Sequence, residues 1–400
     1  MMDHPSAASS TASVTRKIVA AVVFNFLAYL VIGMQLSTLP GFVHGDLHSG
    51  AVLAGLVISV QYVATLLSRG FAGRTSDTAG PRYTVQIGLL ACGLSAGLVA
   101  VAAELWRLPW VCIGLLLVGR LALGFGESCI GTGCIIWGIG RVGAGQTARV
   151  ISWSGVATYS ALAAGAPLGV LIQRQAGMSM IGVIGLVVMV LAFWQARRQE
   201  DVHVIAGERM PMSHVFGRVL PYGIGLALGA IGFGVIATFI TLYYAWLHWG
   251  GAALTLSVFG LTFVGVRLLF GPSIARYGGY RVAMLSFLVE ALGLAILALG
   301  THPAWSILGT ALTGMGFSLV FPSLGVEAVN RVDGSNRGAA LAAYSVFVDV
   351  ALGVAGPVGG LLADHQRYHD LFGIASILAM VALALTWQLS RRFAEAVVTD

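Results

Sequence analysis

The chain alternates long apolar runs with short polar breaks, and it does so twelve times. Apolar windows bounded by glycine, proline and charge fall at about 18–39, 51–67, 83–103, 109–138, 150–172, 180–196, 221–244, 252–270, 282–299, 304–326, 339–362 and 371–389. Each approaches the ~20 residues a helix needs to cross a bilayer core. The expectation is an all-α membrane protein with twelve transmembrane helices in two six-helix, pseudo-symmetric halves. Residues 1–196 make the N-terminal bundle, 197–218 a polar cytoplasmic linker, and 219–400 the C-terminal bundle. The first run is too long for a signal-peptide core and lacks a small-residue cleavage site, so it reads as a retained helix.

Composition agrees. Of 400 residues, 58% are hydrophobic and 10% charged, where a globular chain carries about a quarter charged. The 54 glycines suit helices packed closely in lipid. Seventeen of the 22 Lys and Arg lie in loops on the side of the two termini, and only Arg107, Arg174 and Arg367 lie in loops on the other. Loops rich in positive charge stay inside, so both termini are expected in the cytoplasm, with the chain in a bacterial-type inner membrane. The net charge of +6 is dispersed over those loops and does not suggest nucleic acid. Cys92, Cys112, Cys129 and Cys134 fall inside apolar runs without zinc spacing, so neither a metal site nor a cofactor is expected. There is no phosphate loop of the Gly-Lys-Ser type and no nucleophile constellation. An enzyme and an ATP-driven pump are both disfavoured.

The chain also repeats itself. Arg69, Gly73 and Gly80 pair with Arg267, Gly271 and Gly278 at an offset of 198. Gly119, Gly124, Gly126 and Ser128 pair with Gly309, Gly314, Gly316 and Ser318 at an offset of 190, which also pairs Pro167 with Pro357. The charges do not repeat: Arg120 falls on Thr310, and Tyr159 on Asp349. A duplicated frame with an asymmetric site is the reading, as in transporters built from parallel repeats.

Charge inside an apolar helix is costly, by at least ~2.5–3.5 kcal/mol for an arginine, and marks function. Arg120 and Glu127 share one face of the fourth run, seven residues and ~10 Å apart. A direct pair between them is not expected, and a partner on another helix is. An arginine does not titrate, so it serves a neighbouring acid or an anionic substrate group. Asp349 is the second buried charge. Glu127 and Asp349 are the candidate proton carriers, followed by Glu290 on the ninth run, for which a structural or lipid-side role is equally open.

Several motifs resemble the major facilitator superfamily. Gly73-x-x-x-Asp77-x-x-Gly80-x-Arg82 is similar to its loop signature between helices two and three. The second copy, from Gly271 to Arg281, has Ala275 where the acid belongs. Gly119-Arg120-x-x-x-Gly124-x-Gly126 resembles the fourth-helix motif of its proton-coupled members. Gly165-Ala-Pro167-Leu-Gly169 resembles its fifth-helix antiporter motif, with Ala166 in a glycine position, and Gly356-Pro357-Val-Gly359-Gly360 is a further copy on helix eleven. Phe24-Asn25-Phe26, Gly55 to Tyr62 and Gly232 to Thr241 resemble the YhhS-type efflux transporters.

The resemblance implies alternating access, with helices one, four, seven and ten lining a cavity. Candidate substrate contacts are then Asn25, Tyr29, Gln61, Trp153, Tyr159, Thr238, Thr241, Thr310 and Tyr344, a set that suits an amphiphilic or ring-shaped solute. Arg69, Gly73, Asp77, Gly80, Arg82, Arg267 and Gly271 form a conformational clasp across the halves. Gly165, Pro167, Gly356 and Pro357 form a gate or seam on helices five and eleven. The function expected is secondary active transport: proton-coupled efflux, by antiport, of a small organic compound such as a drug or sugar. The alternatives are a proton-coupled importer of a sugar or organic acid and, from another class, a non-transporting membrane sensor. The partners expected are substrate, protons and lipid, with the protein a monomer.

Overall fold

The computed structural model describes residues 7–202, 212–331 and 337–398; the middle of the expected linker, 203–211, lies outside them. Among the described residues, twelve helices are long and apolar enough to cross a membrane: α1 (Ser13–Asp46), α2 (Ala51–Thr78), α3 (Pro81–Glu104), α4 (Pro109–Val142), α5 (Arg149–Ala176), α6 (Met178–Arg197), α7 (Phe216–Trp246), α8 (Ala252–Phe270), α9 (Gly279–Leu299), α10 (Pro303–Val329), α11 (Ala343–Asp364) and α12 (Tyr368–Arg392). No strand occurs among the described residues. Several helices overrun their apolar windows, α4 to Val142 and α5 to Ala176, because helical hydrogen bonding continues after the chain leaves hydrocarbon.

Packing obeys the repeat. In the first six helices α3 packs on α4 and α6, α2 on α4, and α1 on α5; in the last six α9 packs on α10 and α12, α8 on α10, and α7 on α11. The glycine offsets explain why. A Cβ on Gly126 would meet Gly88 O at 2.7 Å and Cys92 Sγ at 2.6 Å; one on Gly316 would meet Ser286 O at 2.6 Å and the Glu290 Cβ at 2.7 Å. Ser286 and Glu290 are the counterparts of Gly88 and Cys92 at the offset of 198. Gly124 likewise packs on Gln61, and Gly314 on Phe259, the same offset apart. Only a missing side chain lets these helices approach so closely.

Two seams join the groups of six, α2 with α11 and α5 with α8. We call the membrane face that holds both ends of the described chain the terminal side, and the other the far side. On α2 the cross-seam hydrogen bonds run from Ala51 to Arg69. Asp364 accepts from the amides of Ala51 and Val52 at the far-side start of α2, and Ser59 Oγ donates to Leu352 O at 3.0 Å and accepts from Gly356 N at 3.1 Å. Nearer the terminal side, a Cβ on Gly70 or Gly73 would meet nothing within 4 Å. The two groups are thus sealed together from the far-side start of α2 to Arg69, past the middle of the helix, a stretch we call the far-side seal.

Candidate functional site

A hydrogen-bonded chain crosses three helices of the first group. Arg120 Nη1 on α4 donates to Gln61 Oε1 on α2 at 2.7 Å, and Gln61 Nε2 donates to Glu127 Oε2 at 2.7 Å. Tyr29 OH on α1 donates to Glu127 Oε1 at 2.5 Å, and Thr65 Oγ1 to Oε2 at 3.2 Å. The two charges that α4 holds two turns apart are therefore joined through an amide on α2. Arg120 fixes which way that amide points, since only its oxygen can accept from a guanidinium. Arg120 and Glu127 are buried, and Arg120 keeps two further nitrogens, Nε and Nη2, without a partner.

Glu127 accepts three donors. An ionised carboxylate can accept all of them, whereas a protonated one must itself donate. Taking up a proton gives Glu127 a hydrogen of its own to donate, so the hydrogen bonds it shares with Tyr29 on α1 and with Gln61 and Thr65 on α2 are redistributed. Protonation is wired to side chains of the helices beside it.

The second acid, Asp349, reaches across the seam. Arg69 Nη2 donates to Asp349 Oδ1 at 3.0 Å, and Arg69 Nε pairs with Oδ2. One residue of the expected clasp thus meets one expected proton carrier, joining α2 to α11. Arg82 of the loop signature faces elsewhere. Arg82 donates to Gln199 O at 3.0 Å and lies 3.5 Å from Asp201, while Trp137 Nε1 and Arg141 both donate to Glu200 O. Arg82 thereby straps the start of the linker to the terminal ends of α3 and α4. Gly80 makes the turn at φ +96°, and a Cβ there would meet Asp201 Oδ2 at 3.0 Å. Asp77 lies on the last turn of α2.

Arg267 occupies the other seam, on α8. Its guanidinium lies over the Phe263 ring, 5.1 Å from the centroid, and 3.7 Å from where a Gly155 Cβ would stand on α5. Tyr159 of α5 stacks on Phe263 with centroids 3.6 Å apart, and Phe233, Phe259 and Phe317 complete a ring cluster. Beside it is a void of about 10 Å³, room for about one water, bounded by Gly33 and Leu36 of α1, Leu162 of α5, Phe233 and Ala237 of α7 and Phe259 of α8. A Cβ on Gly271, just past the end of α8, would meet Arg267 O at 2.7 Å.

The remaining expected contacts divide. Asn25 is engaged within the first group, donating to Thr158 Oγ1 at 2.8 Å. Trp153 packs with Ile18, Val22 and Val150, and Thr310 Oγ1 donates back to Ser306 O at 2.7 Å. Thr238 is buried. Thr241 Oγ1 and Tyr344 OH are buried without a partner, Tyr344 lying against Phe321 with centroids 5.1 Å apart. Gly165, two residues before Pro167, packs on α1 inside its own group, with Leu30 O at 2.5 Å from a Cβ placed there; Gly356, next to Pro357, packs on α2 across the seam. Glu290 is fully buried against Gly229 and Gly232 of α7, so of the two roles left open for it the lipid-facing one is excluded. Thr65 and the phenylalanine cluster were not anticipated. The signal was present for Phe259 and Phe317, which stand at the offset positions of Gln61 and Glu127.

Comparison with known proteins agrees with this frame. The family profile described as Major Facilitator Superfamily matches residues 21–279 and 223–398. An uncharacterized MFS-type transporter of Burkholderia mallei (strain SAVP1) is 51% identical over 388 residues, covering 97% of this chain and 95% of that one. One from Pseudomonas aeruginosa (strain UCBPP-PA14) is 51% identical over 390 residues, covering 97% and 96%. Among solved structures, a D-xylose–proton symporter superposes with a TM-score of 0.76 at 14% identity, covering 92% of this chain and 97% of that one. The nucleoside transporter NupG superposes with 0.73 at 15%, covering 94% and 99%. At such identities the likeness is one of fold.

Proposed function

We propose a function from one premise: this chain belongs to the Major Facilitator Superfamily, and it is a membrane transporter of that family. Our reading is a proton-coupled exporter of a small organic compound in the bacterial inner membrane, of the YhhS type, with the terminal side cytoplasmic. It works as two six-helix halves, 1–196 and 219–400, joined by the linker between them and open to one face at a time. The observation that carries it is the chain Arg120–Gln61–Glu127–Tyr29. It places one acid where proton uptake redistributes hydrogen bonds to α1 and α2.

The cycle follows from that wiring. Ionised, Glu127 holds Tyr29, Gln61 and Thr65 in the arrangement seen. A proton arriving on it redistributes these bonds and lowers the hold of Glu127 on α1 and α2. Across the seam, Asp349 ties α2 to α11 through Arg69 while it is charged, and a proton there removes the tie. Both steps bias one bistable element, the far-side seal. The sequence motif on α5 supports export. The unpartnered nitrogens of Arg120 favour a second reading, import of an acid or sugar with Arg120 as clamp.

Flux in proteoliposomes with an imposed pH gradient and a panel of compounds tests this. Glu127→Gln preserves hydrogen bonding and removes the titrating group. Gradient-driven flux is expected to fall by at least ~100-fold, about 2.7 kcal/mol of lost coupling, while substrate exchange without a gradient persists. Full gradient-driven flux in that variant would sink the proposal.

A further inference from the structure

Three arginines lie within or between the two groups, Arg120 and Arg267 buried and Arg69 partly so, and two of them have an acid. Arg120 reaches Glu127 through Gln61, and Arg69 holds Asp349. Arg267 has none. It is only 8% exposed, its Nε has no partner, and among the described residues no carboxylate pairs with it.

The repeat sharpens this. Arg267 is the counterpart of Arg69 at the offset of 198, and Tyr159 that of Asp349 at the offset of 190. The same arginine thus recurs in both seams, but the acid that answers it in one is a ring in the other. A guanidinium taken out of water without an anion is costly, and its fork of donors matches a carboxylate or phosphate. Here it stands at the edge of a cluster of five rings, three residues from the terminal end of α8. Phe263 and Phe259 continue from it one and two turns towards the membrane centre, ~6 and ~12 Å along the helix.

We propose that the α5/α8 seam is a binding site for an amphiphilic organic anion, its charged group on Arg267 and its apolar body among Tyr159, Phe263, Phe259, Phe233 and Phe317. The anion supplies the charge that Asp349 supplies in the opposite seam, so binding completes a symmetry the chain leaves open. Arg267 is moved from a purely conformational role to that of an anchor reached from the terminal side. Arg120 lies apart from this anchor, on α4, with its Nη1 committed to the chain through Gln61 to Glu127. This substrate class rests on the transport reading above, although the binding it predicts does not require transport to occur.

Equilibrium binding to the full chain in lipid nanodiscs tests it with three probes of one shape: naphthoate, naphthamide and naphthylmethylammonium. Naphthoate is expected to bind at least ~10-fold tighter than the other two. Arg267→Gln is expected to erase that preference and Arg267→Lys to keep part of it. Phe263→Leu, which spares the charge, should weaken all three probes alike. Three results overturn the proposal: equal binding of the probes to the unaltered protein, an unchanged naphthoate preference in Arg267→Gln, or loss of the preference in Arg120→Gln instead. Glu127→Gln separates the two readings. It should bind naphthoate normally while losing gradient-driven flux, so retained flux counts against proton coupling and absent naphthoate preference against the anion site.

Discussion

The two seams are built on one plan and closed by different chemistry. In the α2/α11 seam, Ser59, Gly356, Arg69 and Asp349 interlock through hydrogen bonds and an ion pair. In the α5/α8 seam, Ser257 Oγ donates to Ala163 O at 2.8 Å, and beyond it Tyr159 stacks on Phe263 beneath Arg267. A charged seam can be opened by a proton. An aromatic one cannot, but it can be filled or emptied by a ligand. Duplication supplied the matching frame, and the two sets of side chains let the seams answer two different signals.

The frame itself should be the most sensitive part. A Cβ on Gly356 collides with Ser59 Oγ and Gly55 O, and one on Gly260 meets Ala163 Cβ and Tyr159 O at 2.6 Å. Leucine at either position is expected to abolish transport. Overpacking of this kind costs typically ~1–3 kcal/mol, and more where backbone faces backbone. Thermal unfolding of the purified protein, read alongside flux, checks this. Equal losses in both variants support a shared frame, and a harmless Gly260→Leu would show that the α5/α8 seam is loose.

Next in size is the ion pair. Asp349→Asn leaves Arg69 facing a neutral amide. Arg69 is partly exposed, 29%, so the expected cost is about 2 kcal/mol, below the ~3–5 kcal/mol of a fully buried pair. The pH sign follows from the pair alone. The tie exists while Asp349 is ionised and fades as pH falls through its titration. Accessibility of a cysteine placed at Gly353, which faces Tyr62 and Val63 across the α2/α11 seam, should rise on acidification in the protein and stay flat in Asp349→Asn. A variant that keeps the full pH response would remove Asp349 from the cycle.

The sharpest swap is Tyr159→Asp, which gives Arg267 the acid its counterpart has. Naphthoate binding is then expected to weaken about tenfold, or ~1.4 kcal/mol, and the α5/α8 seam to gain a pH response of its own. Unchanged naphthoate affinity would mean that Tyr159 and Arg267 do not share a site.

The twelve helices and the repeat could be read from the sequence because apolar length and glycine offsets are local signals. The fate of the α4 charges was half legible. Seven residues of helix excluded a direct contact, so a partner on another helix was expected, but nothing local marks Gln61 as the bridge. Arg69 and Asp349 were singled out for separate roles, and their union depends on how α2 crosses α11, 280 residues apart. The ring cluster was missed for a different reason. Phenylalanine in an apolar helix looks like filler, and only the offset comparison shows Phe317 standing where the first group has Glu127.

The smallest effect should come from Arg82, and it is informative for that reason. The loop-signature resemblance implies a clasp between halves, yet in this conformation Arg82 binds the strap formed by Gln199 to Asp201. Its side chain is 37% exposed, and pairs of that kind are worth ~0–1 kcal/mol. Arg82→Gln is therefore expected to lower stability by no more than about 0.5 kcal/mol. If the strap is its whole role, gradient-driven flux should hold within about twofold. If instead Arg82 clasps the opposite group once the terminal side closes, flux should fall severalfold while unfolding is unchanged. The cycle would then use three cross-links, two in the far-side seal seen here and one in the opposite closure.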